Sequence, residues 1–172
     1  LPENRALNMG ISGDRTEHVL YRIQPKTAGG LGQLDAPELD PEFIVLMIGI
    51  NNTWAQEDPV VESVFAGIVS VLDAVHARKP KARIILQSLL PTNDEVRNRD
   101  VVVPVNARIK DLAARQPHAA YTVFLDLYPL FTDSTGKQKT AFFVTDGVHP
   151  NDAGYRAWSA TLLPFLRSER NP

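Results

Sequence analysis

Phe43-Ile44-Val45-Leu46-Met47-Ile48 is an unbroken run of apolar residues that stops at Gly49. A strand with one face in water alternates apolar and polar residues. A run without alternation suits a strand covered on both faces, as in a parallel sheet. Helices must then lie on both sides of it, and this requirement governs how the rest of the chain is read.

The chain supplies those elements in alternation. Arg83-Ile84-Ile85-Leu86 and Tyr121-Thr122-Val123-Phe124-Leu125 read as further strands, and Ala6-Leu7-Asn8-Met9 as a short buried strand broken by Gly10. Asp14 opens a helix as its cap, Glu17 completes the capping-box pattern, and Val19, Leu20 and Ile23 form its apolar stripe. Val61, Phe65, Ile68, Val69, Leu72 and Val75 repeat at helical spacing up to Lys79-Pro80. Val105, Ile109 and Leu112 mark another helix, and Asn151 or Asp152 caps a last one bearing Tyr155, Trp158, Leu162, Phe165 and Leu166. Residues 26–41 and 126–150 read as long connections, and Thr92–Asp100 as a charged, exposed loop. The alternation predicts a single domain over residues 1–172: a three-layer α/β/α sandwich around a mainly parallel, flavodoxin-like sheet.

In such sheets ligands bind outside the carboxyl ends of the strands. Gly10–Asp14 and Gly49–Asn52 each directly follow a predicted strand, so both belong to that edge. Ile11-Ser12-Gly13-Asp14 leads into a helix N-terminus, where backbone N–H groups favour negative charge. Gly13 leaves its amide open to a ligand. In Gly49-Ile50-Asn51-Asn52 a side-chain amide at a strand end can donate to a developing oxyanion. Each stretch alone reads more readily as an ordinary turn. The third stretch is Thr145-Asp146-Gly147-Val148-His149-Pro150. An Asp three residues before a His, in a turn with Gly and Pro, can set carboxylate beside imidazole. That is the base half of a hydrolytic triad.

Together these stretches resemble the SGNH (GDSL-type) hydrolase family. Asn8-Met9-Gly10-Ile11-Ser12-Gly13-Asp14 matches its second block, Gly49-Ile50-Asn51-Asn52 its third, and Asp146-Gly147-Val148-His149-Pro150 its fifth. The run Asn8–Arg22 is most similar to the branch of platelet-activating-factor acetylhydrolase catalytic subunits and bacterial carbohydrate esterases. Asn52 departs from the Asp common at the end of the third block. The resemblance implies a serine esterase acting on O-acylated carbohydrates or lipid alcohols through an acyl-enzyme, without a cofactor. His149 would be general base and then acid, Asp146 its orienting carboxylate, and Gly13 N–H and the Asn51 amide the oxyanion donors. Ser12, Asp14, Asn52 and Trp54 are candidate pocket residues. Lysophospholipase or thioesterase activity is the alternative within the fold, and a non-catalytic binding domain the alternative outside it.

The family's first block, Gly-Asp-Ser on a strand before a helix, does not occur in these 172 residues. Ser12 fills a variable position of the second block, and Ser88 ends a predicted strand. Neither matches the nucleophile. The chain starts Leu1-Pro2-Glu3. The expectation is a nucleophile strand that lies outside this sequence, as a preceding segment or as a separate fragment acting as partner.

Composition narrows the remaining classes. The chain is 44% hydrophobic and 22% charged with net charge −2, which points to neither nucleic acid nor an anionic membrane surface. No apolar run reads as a membrane span. There is no cysteine, so disulfides, thiol nucleophiles and thiolate metal sites are excluded. The four histidines are scattered without metal-ligand spacing, so no metal site is expected.

Overall fold

The computed structural model describes residues 6–54 and 57–170. The chain start at Leu1-Pro2-Glu3 and residues 55 and 56 of the Asn51–Asp58 loop lie outside them. Three parallel strands pair in chain order: β1 (Phe43–Leu46), β2 (Arg83–Gln87) and β3 (Thr122–Leu125). Ile44 pairs with Ile84, and Ile84 with Thr122.

Successive side chains of a strand point to opposite faces. Ile44, Leu46, Ile84 and Leu86 therefore face one way, into a core shared with α1 (Thr16–Ile23), α2 (Val60–Arg78) and α4 (Val103–Ala113). Ile85, Leu125, Phe43 and Met47 face the other way, against α5 (Asp152–Arg170) and the Phe131–Phe143 cluster. The result is the expected three-layer α/β/α arrangement. β2 is enclosed on both faces, which is why its sequence does not alternate. Asn151 caps α5 by accepting from Ala153 N (2.9 Å) and Gly154 N (3.1 Å).

Four features differ from the sequence reading. Residues 6–9 form no strand: a strand exists only through ladder hydrogen bonds, and among the described residues this segment has none. Leu7 is 69% exposed, and β1 is left as an edge strand with Val45 42% exposed. Second, Asp14 does not cap α1, because its carboxylate pairs with Arg22. The cap position belongs to Arg15, whose N–H donates to His18 Nδ1 (3.3 Å), and Thr16 N–H is taken by Asn52 Oδ1 (3.0 Å), 36 residues away.

Third, much of the supposed exposed loop Thr92–Asp100 is helical. Asp94 caps α3 (Glu95–Arg97), accepting from Arg97 N (3.0 Å), and the helix runs on through a wide turn (Asn98–Val102) into α4. The wide turn lies just before Pro104, which lacks an N–H and crowds the preceding turn. Thr92 and Asn98 are buried against each other. Fourth, α2 has the length and hydropathy of a membrane-crossing helix. Its stripe Val64, Ile68, Val71, Leu72 and Val75 packs into the core, so it behaves as a core helix.

α1 and α2 touch where α2 has Gly67: a Cβ there would stand 2.3 Å from Thr16 Oγ1. Gly→Ala in a helix interior ordinarily gains about 1 kcal/mol. Here the methyl would push on the Thr16 side chain, whose hydroxyl Asn52 holds. Gly67→Ala is expected to lower stability by about 1–3 kcal/mol in urea unfolding, the range for overpacked cores. A stabilised variant would show that α1 yields freely at this contact.

Candidate active site

The carboxyl ends of the strands carry the predicted residues. The turn after β1 (Ile50–Trp54) is docked onto the turn before α1. Asn51 Nδ2 donates to Asp14 O (2.8 Å). Asn52 accepts from Thr16 N and donates to Thr16 Oγ1 (3.2 Å) and Glu17 Oε2 (2.9 Å). Two adjacent side-chain amides thus fasten the Gly49–Asn52 turn to the Gly10–Asp14 turn and the start of α1. Gly13 lies in the fastened turn with φ +82°, a backbone conformation that side chains disfavour. A Cβ there would meet nothing within 4 Å, and Gly13 N–H has no acceptor among the described residues. It is an unspent donor in an exposed turn. Asn51 uses one N–H on Asp14 O and keeps the other.

The Asp–His pair forms as its spacing predicts. Asp146 Oδ2 lies 2.7 Å from His149 Nδ1, while Asp146 Oδ1 accepts from Val148 N (2.8 Å) and His149 N (3.0 Å). These two backbone bonds, then the imidazole bond, hold the Asp146 carboxyl down at about 2. An ionised carboxylate only accepts, so Nδ1 carries a proton and Nε2 is the ring nitrogen left for a second partner. The pair is open to solvent, at 58% side-chain exposure for His149.

Two side chains that the sequence did not single out brace this turn. Asn93, in the loop after β2, donates from its backbone to Gly147 O (3.1 Å) and from Nδ2 to Asp146 O (3.3 Å). Gln138 Nε2 donates to both Pro91 O (2.7 Å) and Gly147 O (2.8 Å). Gly147 has φ +68°, and a Cβ there would fall 2.4 Å from the Asn93 side chain. A polar residue in a loop carries no motif, so spacing gave no sign of these braces. The bracing ties the Asp–His turn to the carboxyl end of β2, next to the strand that bears the Asn51 turn.

The other candidates separate into groups. Asn52 is buried with its amide engaged on α1, so it faces inward and not into a pocket. The Asp14 carboxylate is likewise spent on Arg22. Ser12 is exposed in the Gly13 turn. Trp54 is 46% exposed, with the Arg97 guanidinium 4.0 Å over its ring. Ser88 is buried and accepts from Leu127 N (2.9 Å) and Tyr128 N (3.0 Å), a structural post. Among the described residues no serine hydroxyl is bonded to His149, and no group of His, Asp and Glu could hold a metal.

The Asp146 bonds have a pH signature. A carboxyl depressed in the folded state contributes stability that is complete above its ordinary value of 3.8 and is lost as pH falls towards about 2. The Asp146 carboxyl carbon is expected to titrate near 2 by NMR. A midpoint at the ordinary value would mean that the turn bonds are not made in solution.

Comparison with known proteins bears on the family and the fold. The profile of the GDSL-like lipase/acylhydrolase family matches residues 1–157. Platelet-activating factor acetylhydrolase IB subunit alpha1 of Homo sapiens is 31% identical over 170 residues, covering 96% of this chain and 67% of the human protein. The alpha2 subunit of Rattus norvegicus is 30% identical over 151 residues, covering 87% of this chain and 59% of its own length. This chain therefore spans about two thirds or less of these relatives. A GDSL-like lipase from Bacteroides thetaiotaomicron superimposes with TM-score 0.66 at 24% identity, over 93% of this chain and 74% of that one. A carbohydrate esterase family 3 protein from Talaromyces cellulolyticus gives 0.68 at 20%, over 92% and 69%. Both likenesses speak to the fold. With residues 1–157 matched by the family profile and the human relative aligned over nearly the whole chain, this protein belongs to the GDSL-like lipase/acylhydrolase family.

Proposed function

We propose that this chain provides the base, its orienting carboxylate and two oxyanion donors of a serine esterase. The substrates are small acyl esters, acetyl above all, of carbohydrate or lipid alcohols. The observation that carries the reading is the 2.7 Å Asp146–His149 pair, which leaves Nε2 free on the same strand-end rim as the unspent Gly13 N–H.

The serine is supplied by a segment outside the described residues, seated along the unpaired edge of β1. Two observations support this seat: Val45 is exposed within an otherwise covered apolar strand, and the match covers only 67% of the human relative. In the reaction His149 Nε2 takes the serine proton as Oγ attacks the ester carbon. The carbonyl electron pair moves onto oxygen, where Gly13 N–H and the Asn51 amide receive it. Collapse expels the alcohol, which takes the proton from His149 Nε2. Water, deprotonated by the same nitrogen, then releases the acid and the serine. A small polar pocket would favour acetyl, and a wide apolar groove would shift the preference to lysophospholipid or thioester substrates.

The second reading is a binding domain without catalysis, favoured by the lack of a serine bonded to His149 among the described residues. The natural full-length product, assayed with p-nitrophenyl acetate, is expected to turn over. His149→Ala should abolish turnover, and Asn51→Ala should reduce it on the order of 10²–10³-fold. Full activity in His149→Ala removes the role assigned to it. Absence of any fluorophosphonate adduct with the full-length product selects the binding domain.

A further inference from the structure

The two oxyanion donors share one support, and it is Asp14. Its backbone carbonyl holds the Asn51 amide (2.8 Å), and its carboxylate is held by Arg22. Arg22 comes from the last turn of α1 and is buried. Its Nη2 pairs with the Asp14 carboxylate, while Nη1 donates to Met9 O (3.0 Å) and to Gln33 Oε1 (2.9 Å). Gln33 N in turn donates to Arg22 O (3.0 Å). One planar guanidinium thus grips the turn on both sides of Gly13, at residue 9 before it and residue 14 after it.

A buried ion pair is a poor source of stability, since stripping water from both charges offsets most of their attraction. What such a pair supplies is definition of geometry. Arginine is suited to this because its fork of donors is rigid, whereas a lysine ammonium is a single point charge on a flexible stem. Gly13 has no side chain, and nothing within 4 Å of its Cβ position to hold it in place. The direction of its N–H is set by the turn, closed where Asp14 N donates to Ile11 O (3.2 Å), and by the ends that hold that turn in place. The Asn51 amide is set by the Asp14 carbonyl within the same turn.

We propose that Arg22 is a positioning residue that sets both oxyanion donors through Asp14, and that it touches no substrate. The inference rests on the esterase reading for its catalytic consequence, but its structural part can be tested without it. In the full chain, Asn51 side-chain amide signals in 15N-resolved NMR are expected to shift in Arg22→Gln and to return part of the way in Arg22→Lys. If Arg22→Gln does not fold, the neutral pair Asp14→Leu with Arg22→Met leaves no buried charge and carries the same expectation. In the serine-bearing full-length product, kcat should fall on the order of 10–10²-fold with KM little changed, as for small misplacements of catalytic groups. Arg22→Lys should recover part of that loss. Asn51 signals at their parental positions in a folded variant overturn the proposal, as does a loss confined to KM. A parent product without turnover sinks the esterase reading instead, and the amide signals then decide the role of Arg22 alone.

Discussion

Everything at the strand-end rim hangs from the joint between the β1 turn and the start of α1. Asn51 and Asn52 are consecutive, yet they do different work: one carries a donor to the surface, and the other caps a helix from inside. The cap matters because Thr16 N–H is one of the helix-start donors that have no partner within α1 itself. A sequence-local cap would have satisfied it without fixing where α1 sits. Taking the cap from a residue 36 positions away makes the helix start and the strand end a single rigid piece.

Much of this was legible in the chain alone. The unbroken run at Phe43–Ile48 and its counterpart at Arg83–Leu86 announced parallel strands, covered on both faces in β2 though not at Val45 of β1, and the helical stripes between them supplied the covering layers. The Asp146–His149 spacing announced the pair, because an Asp at that offset can accept from the backbone of the turn and from the ring together. What was not legible depends on partners far along the chain. Whether residues 6–9 become a strand depends on a neighbour to pair with, not on their own apolarity. Whether Asp14 caps a helix or joins Arg22 depends on a competition that local patterns do not describe. Thr92–Asp100 looked exposed because it is charged, but its Thr92 and Asn98 turn inward while Glu95 and Arg99 turn out.

The site residues show the same division. Gly13 and Asn51 could be placed on one edge by topology. Asn93 and Gln138 could not, since their work is done on backbone carbonyls and leaves no trace in residue spacing. The open edge of β1 also belongs here: among the described residues it has no partner on one side, and Val45 is exposed although its run is apolar throughout.

The bracing of the Asp–His turn has a consequence for how such a protein can diverge. Asn93 and Gln138 reach only the main chain of residues 146 and 147, and the side chains of Thr145 and Val148 take no part in that bracing. Those two positions can change size or polarity while the imidazole keeps its place, subject to Gly147 remaining free of a Cβ. The rim beside the histidine is thus a region whose shape and polarity can drift between lineages while the Asp146–His149 geometry stays as it is.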